Sequence, residues 1–589
     1  MKEATSNFKA VATESKQHAC LTFAQEVSSE KPLLKFWKLH RHKTNRPRAR
    51  VTKDIADTDG APLTSDSQKG AAFFERYINQ ADQGNADART EVRDELTNSL
   101  AQHVFVPHVT SEDVTRAIKS ANDGAPGPDG VRYRHLTNLE VETIAKIADE
   151  YNESTRTGTI PEMWLHSYLQ PLPKQSGDGS RLDGYRIITL QNVYGKLVEK
   201  IIARRLSNSL ETAGLLPDTL GGYRPGRDTA VNVAVLAFEV YEGFQRKEET
   251  ALVALDLEDA YNRVDYSVLI QVLKNWNIDL WLVRWIASLL LERTVALRFG
   301  QWTSETRRIA PGLRQGSPLS PVLFNAYTAM ICRQQANGPG HTLTYADDIL
   351  TYVHGKCRQQ ITNQLQAYVN CILTWCDDHN AAINPAKAKV LWCSLNNRIC
   401  NSQLPEITCN DTPIERVHCM RYLGISLDRS LSFKHHVERV IEKARRGINA
   451  VKVMAGAGFQ QRTLFLLMLA LVISPLEYGL GLLTLSPTQI TKLERIQNEA
   501  MRAVLGCTRD TPVATMRYML ALTSMKTRHA HAQVKAMLNV ASKTNHPLAA
   551  HCILKKEIAL SAGSPGWQGQ RKRYRRCARC LTYPLETNG

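Results

Sequence analysis

The sequence predicts a mixed α+β fold, and three stretches carry that prediction. Residues 343–353 place two short runs rich in aromatic, β-branched and apolar side chains around the acidic pair Asp347-Asp348, which is typical of a β-hairpin with acids at its turn. Residues 251–255 are a continuous apolar run of the kind that forms a buried strand, and the run ends at Asp256. Residues 361–375 instead repeat their apolar side chains with helical spacing.

Further helices are predicted by the same apolar spacing. They cover residues 190–206, 437–453, 464–473 and 490–505, and another helix starts at Ser111. The run at 464–473 is the longest apolar stretch, and it is too short to span a bilayer. We therefore expect it to be a buried helix, and we expect no membrane association.

Composition narrows the class of protein. A chain of 589 residues with 43% hydrophobic content exceeds one hydrophobic core and is not a disordered chain. Its formal net charge of +17 predicts an anionic partner, and charge alone fits either a nucleic-acid backbone or a membrane surface. The thirteen cysteines are scattered, which favours free thiols in a reducing compartment.

The acidic pair at residues 347–348 is costly unless another charge balances it. Two carboxylates about 5 Å apart at an effective dielectric near 20 repel by roughly 3 kcal/mol, and a divalent cation would reverse that cost. Mg²⁺ takes one or two carboxylates together with substrate phosphates. A solvated acidic turn is the alternative. Asp256 is the candidate for a third carboxylate, although an acid after a strand is more often a helix cap or turn former.

A glycine-punctuated loop lies between the two acidic sites. Residues 311–325 carry this loop into a helix whose N-terminus can receive a nucleotide or a strand. In this order, the stretches around Asp256, residues 311–325 and residues 343–353 resemble motifs A, B and C of reverse transcriptases. The sequences of these motifs are most similar to those of non-LTR (LINE-type) retrotransposons, in which Tyr-Ala-Asp-Asp is the catalytic hairpin.

Other segments strengthen the resemblance. Residues 125–130, Ala-Pro-Gly-Pro-Asp-Gly, resemble the segment ahead of the fingers in LINE-type enzymes. Residues 222–227 resemble the family's Gly-Phe-Arg-Pro-Gly-Arg signature, with Tyr223 in place of the phenylalanine. The match is dense from about residue 120 to about residue 430 and thinner up to about residue 540.

The resemblance implies a right-hand polymerase with fingers, a palm built on an antiparallel sheet, and a helical thumb. We expect a basic N-terminal linker over residues 1–110, fingers and palm over 111–430, a helical thumb and connection over 431–545, and a basic, flexible tail over 546–589. The basic stretches 35–53 and 571–576 suit contact with nucleic acid, although solvated segments are the alternative. Cys577 and Cys580 lack a second ligand pair nearby, so zinc is not expected.

The resemblance also implies roles for individual residues. The catalytic and metal-binding set is Asp256, Asp347 and Asp348 with the backbone carbonyl of Leu257, and the ion is Mg²⁺, with Mn²⁺ as the alternative. The nucleotide-binding set is Lys174, Arg186, Asp259, Tyr261, Gln315, Gly316 and Lys387, and the primer grip is Tyr422-Leu423-Gly424. Ile187 stands where the family usually has proline, which affects the turn beside Arg186.

The prediction that the substrate is a deoxynucleotide rests on Tyr261. It follows Asp256 by five residues, where the family places an aromatic ring under the sugar to exclude a 2′-hydroxyl. A core tyrosine is the alternative.

The activity implied is extension of a DNA 3′-hydroxyl on an RNA template by two-metal phosphoryl transfer, with RNA template, DNA primer or target and dNTPs as partners. The nucleus is the expected location, with a cytoplasmic ribonucleoprotein stage. Too little chain precedes residue 120 for the family's endonuclease, so we expect a fragment or a separate endonuclease. The alternatives are a non-catalytic RNA-binding protein from a decayed element, and a group II intron or telomerase-like reverse transcriptase.

Overall fold

The computed structural model describes residues 55–57, 60–81, 107–174, 179–308, 312–333, 340–396 and 404–541. The basic stretches 35–53 and 571–576, and the pair Cys577 and Cys580, lie outside the described residues. Within them the protein is a mixed α+β structure, as predicted.

The strands are β1 (Ile55–Ala56), β2 (Pro62–Leu63), β3 (His166–Pro173), β4 (Tyr185–Gln191), β5 (Glu249–Asp256), β6 (Thr294–Phe299), β7 (Trp302–Thr303), β8 (Gly340–Tyr345), β9 (Asp348–Gly355), β10 (Lys389–Cys393), β11 (Thr408–Cys409), β12 (Thr412–Pro413), β13 (Glu415–Val417), β14 (Cys419–Tyr422) and β15 (Ile425–Asp428). The helices are α1 (Asp66–Ala81), α2 (Ser111–Lys119), α3 (Tyr133–Leu136), α4 (Val141–Thr157), α5 (Glu162–Leu165), α6 (Val193–Thr212), α7 (Thr229–Gln245), α8 (Tyr266–Asn275), α9 (Leu280–Leu291), α10 (Ser320–Arg333), α11 (Arg358–Asp378), α12 (Lys434–Gly456), α13 (Gln461–Met468), α14 (Ser474–Glu477), α15 (Pro487–Leu505), α16 (Val513–Met519) and α17 (Met525–Ala541). Leu182–Gly184 and Pro385–Lys387 are short 3₁₀ helices, and Leu469–Ile473 is a π-helical segment between α13 and α14.

A five-stranded sheet with the order β13-β10-β5-β9-β8 forms the centre of the fold. Strand β13 is parallel to β10, and the other neighbours are antiparallel. Strand β5 lies in the middle, and its side chains alternate between two cores: Ala251 and Val253 face the first, and Leu252 faces the second. Because both faces of β5 are covered, its sequence is continuously apolar rather than alternating.

Each face of the central sheet has its own layer of helices. The first core is formed with α6, α8, α9, α10 and α11, and it contains the fully buried Trp285 and Trp375. The second core packs α7 and the other face of the sheet against α12, α13 and α15. This core contains residues from both sides of position 430, where we predicted that the palm ends and the thumb begins. The predicted domain boundaries therefore stay a prediction.

A second sheet has four strands in the order β4-β3-β6-β7. Phe73 and Tyr77 of α1 pack on this sheet against Leu169 and Phe299 and form a third core. Strand β3 is antiparallel to β4 and parallel to β6. This arrangement fixes β4, which carries Arg186, at the end of the sheet.

Two boundaries predicted from the sequence are wrong by a few residues. The turn of the acidic hairpin is Ala346-Asp347, and Asp348 already begins β9, where it pairs with Tyr345. The helix predicted from residue 190 begins at Val193, because Leu190 pairs with Tyr168 in the sheet.

The apolar run 464–473 has a mixed conformation. It is α-helical only to Met468 and continues as the π-helical segment, and the residues at both ends of that segment, Met468 and Ser474, keep right-handed helical dihedral angles. Among the described residues, no helix is long and apolar enough to cross a bilayer.

The π-helical segment lies against Gly447 of α12. A β-carbon added at Gly447 would come within 2.4 Å of the Leu471 carbonyl oxygen, so α12 and this segment approach each other closely only because residue 447 has no side chain. Gly456, at the end of the same helix, has no neighbour within 4 Å of an added β-carbon. The two glycines lie on the same helix and differ in whether a side chain would meet a neighbour, so each serves as a control for the other.

We predict opposite effects of alanine at these two positions. Gly447→Ala should lower the free energy of unfolding by about 1–3 kcal/mol through overpacking. Gly456→Ala should raise it by about 0.4–1 kcal/mol by restricting the unfolded chain. Urea denaturation of both variants measures the difference. Equal stability of the two would contradict the close approach of α12 to the π-helical segment.

Candidate active site

The three acids predicted from the sequence meet at one edge of the central sheet. Asp256 ends β5 directly opposite Asp348, the first residue of β9. Asp347 lies in the adjoining turn, and its carbonyl oxygen accepts the N–H of Leu257 at 3.3 Å. Antiparallel pairing of β5 with β9 therefore brings together carboxylates that are distant in sequence.

The environment of Asp347 and Asp348 disfavours their charged forms. Desolvation, followed by the charges of Asp347 and Asp256, raises the pKa of Asp348 to about 6, although Asp348 is an exposed residue. Burial also raises the pKa of Asp347, and the charge of Asp256 adds to this, while Arg186 and Lys387 oppose it. Carboxylates in this state are prepared to bind a cation, because a cation would remove their mutual repulsion.

Lys387 neutralises part of the charge at this edge. Its Nζ lies 2.5 Å from Asp256 Oδ2, and this hydrogen bond raises the pKa of the Lys387 ammonium. The backbone brings the lysine here, because the N–H of Asn384 donates to the carbonyl of Asp256 at 3.1 Å and the N–H of Glu258 donates to the carbonyl of Ala382 at 2.8 Å. The structure therefore places the predicted nucleotide-binding Lys387 on a predicted metal ligand.

The donor set fits a magnesium ion that is shared with a substrate. Among the described residues, no three His, Cys, Asp or Glu side chains are grouped closely enough to bind one ion by themselves. Asp256 and Asp347 nevertheless place carboxylate oxygens at the same edge, and Mg²⁺ ordinarily takes one or two carboxylates with waters and substrate phosphates. A site of this kind is completed by the substrate.

Tyr261 is held close to these acids. Its ring stacks on Phe324 of α10, with ring centres 4.8 Å apart and planes 9° apart. Its carbonyl oxygen accepts the N–H of Leu313 at 2.6 Å. Burial raises the pKa of Tyr261, and the interaction with Tyr223 and the charge of Asp347 add to this. The side chain is partly exposed.

The loop after residue 311 approaches Tyr261 through a glycine. Gly312 has φ of +48°, and a β-carbon there would lie 1.9 Å from the Tyr261 carbonyl oxygen, so no other residue fits. Further along, the carbonyl of Gln315 accepts the N–H of Thr189 on β4 at 2.8 Å, and Gly316 lies against the carbonyl of Thr189. Gln315 and Gly316 are thereby brought to the strand that carries Arg186.

Two of the predicted nucleotide-binding residues are held by local bonds. Lys174 Nζ donates to the carbonyl of Asp183 at 2.8 Å, within the connection between β3 and β4. Asp259 has φ of +45° in the turn after β5, and its carbonyl accepts the N–H groups of Asn262 and Arg263. The contacts of Lys174 do not join it to the acids.

The predicted primer grip is the turn between β14 and β15. Leu423 and Gly424 have φ of +43° and +83° and form this turn, where both are partly exposed. The Tyr478 hydroxyl donates to the Leu423 carbonyl at 2.7 Å. Tyr422 is buried in the second core, so only the turn itself is available to a ligand.

Comparison with known families identifies the domain that contains this site. Residues 172–427 match the family model described as reverse transcriptase (RNA-dependent DNA polymerase). The relatives of this stretch come from mobile elements. The chain is 27% identical over 434 residues to the probable RNA-directed DNA polymerase from transposon BS of Drosophila melanogaster, covering 71% of this chain and 47% of that protein.

The chain carries a reverse transcriptase domain of the non-LTR retrotransposon type.

Other relatives support the same assignment. The RNA-directed DNA polymerase from mobile element jockey of Drosophila funebris is 26% identical over 355 residues, covering 59% of this chain and 38% of that protein. The Pol polyprotein of a type-1 R2 retrotransposable element of Popillia japonica is 28% identical over 260 residues, covering 42% and 35%. The chain thus spans about half, or less, of the length of these relatives. A structure of apo telomerase from Candida Tropicalis, truncated from its C-terminal domain, has a TM-score of 0.32 and 10% identity over 49% of this chain and 59% of that chain.

The reverse transcriptase domain contains a buried polar network that the sequence analysis missed. Glu199 of α6 is fully buried, and its carboxylate accepts hydrogen bonds from Arg314, Ser317 and Gln191. Arg314, which is 2% exposed, also donates to the carbonyl of Leu165 at 2.7 Å. The network therefore holds Arg314 and Ser317, which lie before and after Gln315 in the chain. A sequence signal existed, because Glu199 falls at helical spacing with the apolar Ile202 and Leu206.

We predict that this buried pair is essential to the stability of the domain. Glu199→Ala should lower the free energy of unfolding by about 3–5 kcal/mol, because it leaves the Arg314 charge buried without a partner. Glu153→Ala is the control: it breaks a pair with Arg156 whose side chains are 61% and 69% exposed, and it should cost less than about 1 kcal/mol. Chemical denaturation that gives the same loss for both variants would contradict the role of Glu199.

Proposed function

We propose that this chain is an RNA-directed DNA polymerase that extends a DNA 3′-hydroxyl on an RNA template, in the target-primed manner of non-LTR retrotransposons. The observation that carries the proposal is the meeting of Asp256, Asp347 and Asp348 at one edge of the central sheet, inside a reverse transcriptase domain. Several relatives are themselves described as RNA-directed DNA polymerases. Acids converging from separate strands are what two-metal phosphoryl transfer requires.

Mg²⁺ is the proposed cofactor, with Mn²⁺ as the alternative. Asp256 and Asp347 would hold it, with Asp348 and the carbonyl of Leu257 as further donors. When bound, the metal neutralises charge on the transferred phosphoryl group and on the attacking and leaving oxygens. Arg186, whose charge reaches Asp347, faces the same edge and would clamp the triphosphate. Lys387 keeps a proton at Nζ beside Asp256 and supplies positive charge there.

The architecture proposed for this activity is a right hand. The five-stranded sheet with the acids would be the palm, and the four-stranded sheet that carries Arg186 would belong to the fingers. Helices α12 to α17 would be the thumb, since they follow the turn at Leu423 and Gly424 and form one core with the palm. The residue boundaries 111–430 and 431–545 are part of this proposal.

The partners proposed are an RNA template, a DNA primer or target, and dNTPs. The net charge of +17 favours polyanionic partners through release of counterions. The nucleus, where target DNA lies, is the proposed site of action, preceded by a cytoplasmic ribonucleoprotein. A separate endonuclease is the proposed source of the nick.

The direct test replaces single carboxylates with amides on a poly(rA)/oligo(dT) substrate with Mg²⁺. Asp256→Asn and Asp347→Asn should each lower extension on the order of 10³-fold, about 4 kcal/mol in transition-state terms, because the charge that holds the metal is lost. Primer-template binding should stay nearly intact. Asp149→Asn, an exposed position on α4, is the matched control and should extend normally.

Activity within tenfold of the parent in either variant would overturn the metal assignment. A parent that binds primer-template without extending it would favour the non-catalytic RNA-binding alternative.

Tyr261 provides a test of the substrate class. Tyr261→Val should raise kcat/KM for ribonucleotides by about 10²-fold, roughly 2.7 kcal/mol, because the atoms that obstruct the 2′-hydroxyl are removed. Deoxynucleotide use should change much less. A core tyrosine would behave differently, since its truncation would cost about 3 kcal/mol of stability and depress both substrates together. Parallel rNTP and dNTP kinetics with a melting curve distinguish the two outcomes.

A further inference from the structure

The turn between β14 and β15, which is the predicted primer grip, has a strained backbone. Tyr422 pairs with Ile425, so the loop between the strands is the two residues Leu423 and Gly424, with φ of +43° and +83°. Two-residue turns with positive φ at both positions ordinarily use Asn-Gly, Asp-Gly or Gly-Gly. A bulky side chain at positive φ costs energy and persists only where the surroundings impose it. The conformation of Leu423 therefore needs an external cause.

Side chains from the helical region after residue 431 supply that cause. The Tyr478 hydroxyl donates to the carbonyl of Leu423 at 2.7 Å, and Arg439 of α12 donates to the carbonyl of Gly424. A β-carbon at Gly424 would lie 2.9 Å from the Tyr478 oxygen, so the phenol lies directly against the turn. Two successive carbonyls of the turn are thus held by two side chains that follow it in the chain.

Tyr478 is itself held on both sides. The preceding residue, Glu477, forms an ion pair with Arg528 of α17. After it, a β-carbon at Gly479 would lie 2.7 Å from Cδ1 of Ile425, so the chain touches β15 immediately beyond Tyr478. The side chain of Tyr478 is 43% exposed, yet its backbone is fixed between a helix and a strand.

The same hydroxyl also reaches the helix beside the catalytic hairpin. Thr229, the first residue of α7, places its Oγ1 3.3 Å from the Tyr478 oxygen. Because the hydrogen of Tyr478 is donated to a carbonyl, Thr229 is the donor in this second bond. Helix α7 is joined to β8, since Asn232 Nδ2 donates to the carbonyl of Thr344 at 3.0 Å. Tyr478 therefore connects the turn at Leu423 to the strand that leads into the acidic turn.

We propose that Tyr478 is a positioning residue for the DNA primer: its hydroxyl fixes the turn at Leu423 and Gly424 relative to the acids, so that a primer strand on the turn presents its 3′-hydroxyl to them. The inference rests on the proposed polymerase function and on the primer grip predicted for this turn. It extends both to a residue outside the matched stretch 172–427. Reacting groups have to be held to about 0.5 Å, which a strained turn without support would not achieve.

The test deletes the hydroxyl in the full chain and measures the first addition of dTTP to a preformed complex with poly(rA)/oligo(dT). Tyr478→Phe should lower the single-turnover rate constant by roughly three- to tenfold, the range that one neutral hydrogen bond supports. The half-saturating dTTP concentration should stay unchanged, because the proposed nucleotide-binding residues lie on other elements. Thr229→Val should cause a smaller loss. The double variant should match Tyr478→Phe, because the Thr229 hydroxyl acts through that of Tyr478.

Tyr518→Phe is the matched control, since Tyr518 lies on α16 with 89% exposure and should leave the rate constant unchanged. A purely structural role of Tyr478 would lower the reaction amplitude and the melting temperature but not the rate constant of the molecules that remain folded.

Three results would each overturn the inference while the parent remains active. They are an unchanged rate constant in Tyr478→Phe, a raised half-saturating dTTP concentration in that variant, and a further loss of rate in the double variant. A parent that binds primer-template without extending it would instead overturn the proposed function, and the inference with it.

Discussion

The register between β5 and β9 is the constraint on which the rest of the site depends. It places Asp256 opposite Asp348, and a slip of one residue would turn every side chain of the strand to the other face. Such a slip is strongly disfavoured here, because both faces of β5 are buried and alternate residues are packed into different cores. The helical layers therefore serve the chemistry indirectly, by fixing the register that brings the acids together.

Holding these acids together makes the sheet edge electrostatically unfavourable. Desolvation and mutual repulsion raise the pKa of Asp348 to about 6, and the charge of Lys387 offsets only part of this effect. The protein tolerates the arrangement because the strand-end backbone is well bonded, including the bond from Leu257 to Asp347. Conflict between local stability and local charge is expected where a site is built for a ligand.

The sequence was sufficient to predict the elements that have local signals. The apolar run to Asp256, the acidic hairpin and the amphipathic helix over 361–375 all occur in the structure. The turn was misplaced by one residue. Ala346 adopts φ of +56°, and alanine is not a residue that favours such a turn position, so the sequence did not indicate it. Glu199 and the burial of Tyr422 were missed for a different reason: both depend on partners that only tertiary packing supplies.

The glycines around the site show how distant segments act as one unit. Gly312 allows the loop to meet the backbone at Tyr261, and Gly222 allows the preceding segment to meet the acidic turn at Ala346. In both cases the contact is between main chains, so a side chain at either position would separate the motifs. Close main-chain contact transmits position more rigidly than contact between side chains, since it leaves fewer rotatable bonds. The backbone at Tyr261 is consequently positioned by the loop at Gly312, a segment that carries none of the three acids.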